Sequence, residues 1–182
     1  MLTCSVRIIY LRMAQVYSER YDTGVKRFFA ALVDGVVFLP VIFFVQWLGL
    51  KYSTDLQLLL SDAVYTFLAI GYPVVAHKLT GQTIGKWATG VCVIDVSESK
   101  YITWKQSILR ESIYILFQIL AYGYAVVLYI QRASFEGVFA KYTAVANAPV
   151  FAFLLIEFLT MLSNSRRRSL HDLIAKTIVV RL

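Results

Sequence analysis

Four carboxylates, Asp34, Asp62, Glu111 and Glu157, stand within or at the edge of long apolar runs. A charge in hydrocarbon is costly, so such groups are candidates for binding and releasing cations or protons. Arg27 precedes Asp34 by seven residues, which puts both on one helix face. That spacing predicts a guanidinium pointing to the mouth above Asp34 and tuning its pKa. His77 closes the second apolar run, and Arg110 and Glu111 open the third. Arg27, Asp34, His77, Arg110, Glu111 and Glu157 can thus converge in the inner third of a four-helix bundle, with Asp62 nearer the outer face. Asp62, Glu111, Glu157 and His77 then form a candidate proton or cation relay. The competing reading is that buried ion pairs only fix helix register and that His77 is an interfacial anchor. For Arg27 and Asp34 the two readings stand level.

Other chemistries find less support. Gly81-Gln82-Thr83-Ile84-Gly85-Lys86 is close to a phosphate loop, but Trp87 follows the lysine where that loop needs Ser or Thr. The glycines are expected to turn the chain at the membrane surface, with Lys86 meeting lipid headgroups. Ser169 and Asp172 have capping-box spacing, which predicts a short helix over 170–176 with Asp172 in its first turn. Asp172 is also free to pair with Arg27, Lys86 or Arg110. Cys4 and Cys92 form no CxxC motif, the two histidines are far apart, and no nucleophilic triad is visible, so no enzyme activity, metal or cofactor is expected.

These residues need helices to hold them in lipid. The chain has 182 residues, 59% hydrophobic and only 16% charged, with a mean hydropathy of +0.66. A soluble domain cannot hide that much apolar surface. Four runs are long enough to cross about 30 Å of hydrocarbon: 28–50, 56–79, 108–131 and 144–162. Pro40 and Pro73 fall inside spans, where each would kink a helix. Trp47, Tyr52, Trp104, Tyr129 and Tyr142 sit near span ends, as interfacial aromatics do.

Of 18 basic residues, all but Lys51, Arg132 and Lys141 fall in the N-terminal tail, in the segment between spans two and three with the foot of span three, or in the C-terminal tail. The positive-inside rule therefore places both termini in the cytoplasm. The net charge of +7 reports orientation, and nucleic acid is not an expected partner. Arg166–Arg168 reads as a topology determinant touching anionic lipid. The expected class is an all-α protein of the plasma (inner) membrane, multi-pass, with a small cytoplasmic β element. Residues 1–24 form a cytoplasmic tail, in which Met13 is a candidate start, and 25–182 form the membrane domain. Val91–Val96 and Lys100–Thr103 read as a hairpin joined by Ser97-Glu98-Ser99, and the C-terminal TIVVRL as one more strand.

Taken in order, these motifs resemble the RDD family of small membrane proteins, named for one Arg and two Asp. The stretch from Lys26-Arg27 to Asp34-Gly35 resembles its opening. Gly81, Thr83, Gly85 and Lys86, continuing through Gly90 to Asp95, resemble its central motif. Arg110-Glu111 matches the pair that opens the next span, and Ser169 to Ala175 resembles the closing motif with its Asp172. Lys176 departs from the pattern, which has Gly there, so a less sharp turn before the last strand is expected. The resemblance implies a membrane location and an Arg27/Asp34/Asp172 site. For some members it implies transport, sodium/proton exchange included, and for others a scaffold role. Two functions follow as expectations: a cation or proton-coupled transporter, as a homo-oligomer, or a scaffold whose Arg and Asp residues are structural.

Overall fold

The computed structural model describes residues 19–51, 55–131 and 135–182. The tail with Cys4 and Met13, together with Tyr52 and Arg132, lies outside the described residues, as do the side chains of Lys141 and Tyr142. Four long helices dominate: α1 (Gly24–Lys51), α2 (Asp55–Thr80), then, after a short α3 (Ile84–Thr89), α4 (Trp104–Ile130) and α5 (Phe135–Leu162). The first three follow the expected spans closely. The fourth begins well before 144, because Phe135 to Thr143 is helical without being uniformly apolar, and hydropathy sees only the apolar part.

Two stretches, Glu19–Val45 and Trp104–Ile130, are long and apolar enough to cross a membrane, with mean hydropathies of 2.5 and 2.0. Neither is a soluble core helix, since little of either is buried. Phe28, Phe43, Phe67, Ile119, Leu120, Phe151 and Leu155 are all more than half exposed. Apolar surface of that extent suits lipid, not water. Along the bundle α1 packs on α2, α2 on α4, and α4 on α5.

The short elements gather at one end. β1 (Val91–Asp95) pairs antiparallel with β2 (Thr177–Arg181), Val91 opposite Arg181 and Asp95 opposite Thr177. This corrects the expected local hairpin: Tyr101 makes only an isolated bridge to Ile94. The reason is burial. Val91, Val93, Ile102 and Val179 form one fully buried cluster, and Tyr21, Ile178 and Val180 another, packed by Ile94. A strand buried on both faces takes the apolar partner TIVVR over the polar SKYIT. α6 (Leu170–Ile174) joins α5 to β2.

The central motif is built around backbone geometry. Gly81 has φ +73° and Gly90 has φ +66°, the left-handed region that favours glycine. Thr83 caps α3, accepting from the Lys86 N–H at 3.3 Å, and Gly90 closes it. A Cβ on Gly85 would lie 2.0 Å from the Ala30 carbonyl oxygen, so only glycine lets α3 lie on α1. Lys176 takes φ +53°, so the turn before β2 is as sharp as a glycine would make it, contrary to expectation.

Candidate functional site

Two polar nodes tie the ends of the helices together. In the first, the Asp34 carboxylate of α1 receives the Tyr72 hydroxyl at 3.0 Å, the Thr83 hydroxyl at 2.6 Å and the Gly85 N–H at 2.8 Å. The Ile84 N–H donates to Tyr72 Oη at 2.7 Å. Asp34 therefore holds the unsatisfied amide end of α3, directly and through Tyr72, as carboxylates favour. Arg27 does not reach it, which corrects the expected pair. Seven helical residues separate them by about 10 Å along the axis, and Arg27 is drawn elsewhere.

The second node is centred on Asp172, whose side chain is fully buried. Arg27 Nη1 lies 2.8 Å from one carboxylate oxygen, and Arg110 Nη1 binds the other. Ser169 donates its N–H at 3.1 Å and its hydroxyl at 2.9 Å. Arg110 also donates to the Thr177 hydroxyl at 2.6 Å, fastening β2 to α4. Burial alone would raise the Asp172 pKa, but Arg27 and Arg110 outweigh it and hold the carboxyl well below the usual range.

His171 bridges from this node to α5. Its Nδ1 binds Glu157, whose other oxygen accepts the His171 backbone N–H at 2.8 Å. Its Nε2 faces Arg110 Nη2 at 2.8 Å and Arg27 Nη2 at 3.3 Å. Two guanidinium donors require a lone pair on Nε2, so the network assigns the neutral tautomer with Nδ1–H on Glu157. Burial, then Arg110, lowers the His171 pKa accordingly.

Most of the residues singled out from sequence meet here. Arg27, Arg110 and Asp172 are joined directly, and Glu157 through His171. His77 is only 2% exposed and faces Lys86, Arg110, His171 and Asp172, with neither ring nitrogen hydrogen-bonded among the described residues. Gly81, Thr83, Gly85 and Arg110 are all buried within the protein. Lys86 is half-buried near Arg110, Arg27, Asp34 and Glu111; burial, with Arg110 and Arg27, lowers its pKa to about 8. Asp62 stands apart, on α2, where it accepts the Tyr122 hydroxyl at 2.8 Å.

Sequence reasoning missed Tyr72, Tyr122, Thr177 and the bridging role of His171. Only His171 carried a signal, as the neighbour of Asp172 in the capping box. Among the described residues no three His, Cys, Asp or Glu side chains are grouped as metal ligands.

A bundle of apolar helices, closed at one end by a charged cluster and a small buried sheet, defines a membrane protein. The chain belongs to the RDD family, whose model matches residues 22–176. No curated protein and no solved structure matches the chain.

Proposed function

We propose that the chain crosses the plasma membrane four times, with both termini in the cytoplasm, and acts there as a carrier for a monovalent cation or for protons. In this reading Arg27, Asp34 and Asp172 are fasteners, while Asp62, Glu111 and Glu157 handle the ion and His77 assists. A protomer of four helices is small for alternating access, so the carrier works as a homo-oligomer. The observation that carries the reading is Glu111. It sits on a helix of membrane-crossing length and faces Arg110, Lys86 and Glu157, yet no hydrogen bond or ion pair among the described residues engages it. A half-buried carboxylate left so on such a helix is a functional candidate by default.

The test is flux in proteoliposomes under an imposed pH gradient, with sodium, potassium or lithium outside. Wild-type protein is expected to exceed empty liposomes, and Glu111→Gln and Asp62→Asn to lose that excess while remaining folded. Wild-type flux at the empty-liposome level would refute the carrier. A scaffold without catalysis or transport is the second reading, favoured by the internal partners that engage all three signature side chains. It predicts a defined partner on crosslinking and no flux.

A further inference from the structure

The interface between α2 and α4 carries a polar stripe in which only Glu111 belongs to a family motif. Two bonds fix its antiparallel register. The Ser107 hydroxyl donates to the Val74 carbonyl at 2.6 Å near one end. Toward the other, Tyr122 bonds Asp62 at 2.8 Å and Thr66 at 3.1 Å. Between these anchors α4 presents Glu111 and Gln118, seven residues apart and four short of Tyr122, a spacing that keeps all three on one helix face. On α2 the residues at matching spacing are Asp62, Thr66, Pro73 and His77.

Two side chains along this stripe show unmet hydrogen bonding among the described residues, and a proline withholds one helical donor. Gln118 Oε1 is buried without a partner. Both ring nitrogens of His77, a side chain 2% exposed, are buried without a partner. Pro73 has no N–H to give the Ala69 carbonyl one turn before it. Each orphan costs about 1–3 kcal/mol in a dry interior, and in hydrocarbon no bulk solvent relieves it. Ordered water is the usual remedy for buried polar groups left open in this way. Along the helix axis Gln118 lies about 6 Å from Tyr122 and about 10 Å from Glu111, gaps that short chains of water can bridge.

We propose that the α2–α4 seam is a hydrated proton path from Asp62–Tyr122 to Glu111 and His77, with Gln118 holding its waters. A proton enters on Asp62 and hops along hydrogen bonds to Glu111 or to a His77 nitrogen. Each hop breaks one O–H or N–H bond as it forms the next, so no oxidant or co-substrate is needed. The path rests on the carrier reading and adds to it both the route and the cargo.

Two measurements test it. In protein with Cys4 and Cys92 changed to alanine, Gln118→Cys is expected to react with a small water-soluble thiosulfonate at least about tenfold faster than Leu120→Cys, because only hydrated thiol ionises to thiolate. Leu120 is the control because it is 60% exposed on the bundle's outer surface. In liposomes loaded with a pH dye, Gln118→Leu and Tyr122→Phe are expected to slow proton uptake about tenfold or more, as a severed water chain should. Gln118→Glu should retain uptake. Gln118→Leu removes a buried orphan and so should melt no lower than wild type; a merely structural Gln118 would leave uptake unchanged. Equal labelling of the two cysteine variants, undiminished uptake in the leucine and phenylalanine variants, or a wild type that moves sodium without protons overturns the path and leaves the carrier standing. A wild type that moves no ion overturns both.

Discussion

Asp34→Asn separates a fastener from an ion site. The carboxylate accepts three hydrogen bonds, from Tyr72, Thr83 and Gly85. Asparagine keeps one acceptor oxygen, which can still serve Tyr72 and Gly85. Its amide nitrogen must then face the Thr83 hydroxyl at a spacing of 2.6 Å, too close for an N–H···O bond. The Thr83 bond is therefore lost or rebuilt, and a bond to a charged acceptor is worth about 1.5–3 kcal/mol. The negative charge at the amide end of α3 goes as well, but it belongs to the same interactions, so about 2 kcal/mol covers both. A chain of this size loses about 2–4 °C per kcal/mol, which puts the melting temperature about 4–8 °C lower. With Cys4 changed to alanine, a thiol-reactive dye in detergent reads this directly, since Cys92 is buried in the sheet beside Gly81 and becomes reactive on unfolding. Flux per folded molecule should be unchanged. An Asp34→Asn protein that melts like wild type but moves no ion would overturn the fastener assignment.

Lys176→Gly should stabilise the protein by about 1 kcal/mol, because Lys176 occupies the left-handed region at φ +53° and its carbonyl still accepts from Val96 and Gln106 after the change. The melting temperature is expected to rise, and a fall would show that the lysine side chain itself holds the turn. His171→Asn should flatten the pH dependence of stability. The folded-state pKa of His171 lies below its ordinary 6.5, so the unfolded chain takes up its proton first. The stability linked to His171 is therefore whole above 6.5 and is lost as pH falls through that value toward the folded pKa. Melting scans between about pH 7.5 and pH 5.5 should slope less in the variant than in wild type; equal slopes would remove His171 from the linkage.

The helices were legible in the apolar runs, and the turns in their glycines. Gly81 has the positive φ expected of a sharp turn, whereas Gly85, expected to turn as well, lies inside α3 and serves its close approach to Ala30. The Ser169–Asp172 spacing foretold the short helix between α5 and β2, where the Ser169 N–H does meet the Asp172 carboxylate. Pairing was not legible. VCVID looked for its neighbour in sequence and found it at the C-terminus, because only TIVVR brings enough apolar surface to cover it. Arg27 was matched to Asp34 by helical phase, but phase says only that two side chains share a face. It does not shorten two helical turns to a bond.

The amino-acid sequence alone determined which segments are helical and apolar and where the chain caps and turns, because those outcomes depend on hydropathy, glycine and capping within a few residues. Tertiary structure decided which charge meets which. Arg27, Arg110 and Asp172 come from three distant segments. Their union depends on how α1, α4 and α6 dock, a relation that no local spacing encodes. The same docking leaves Gln118 Oε1 and both His77 ring nitrogens buried without partners among the described residues.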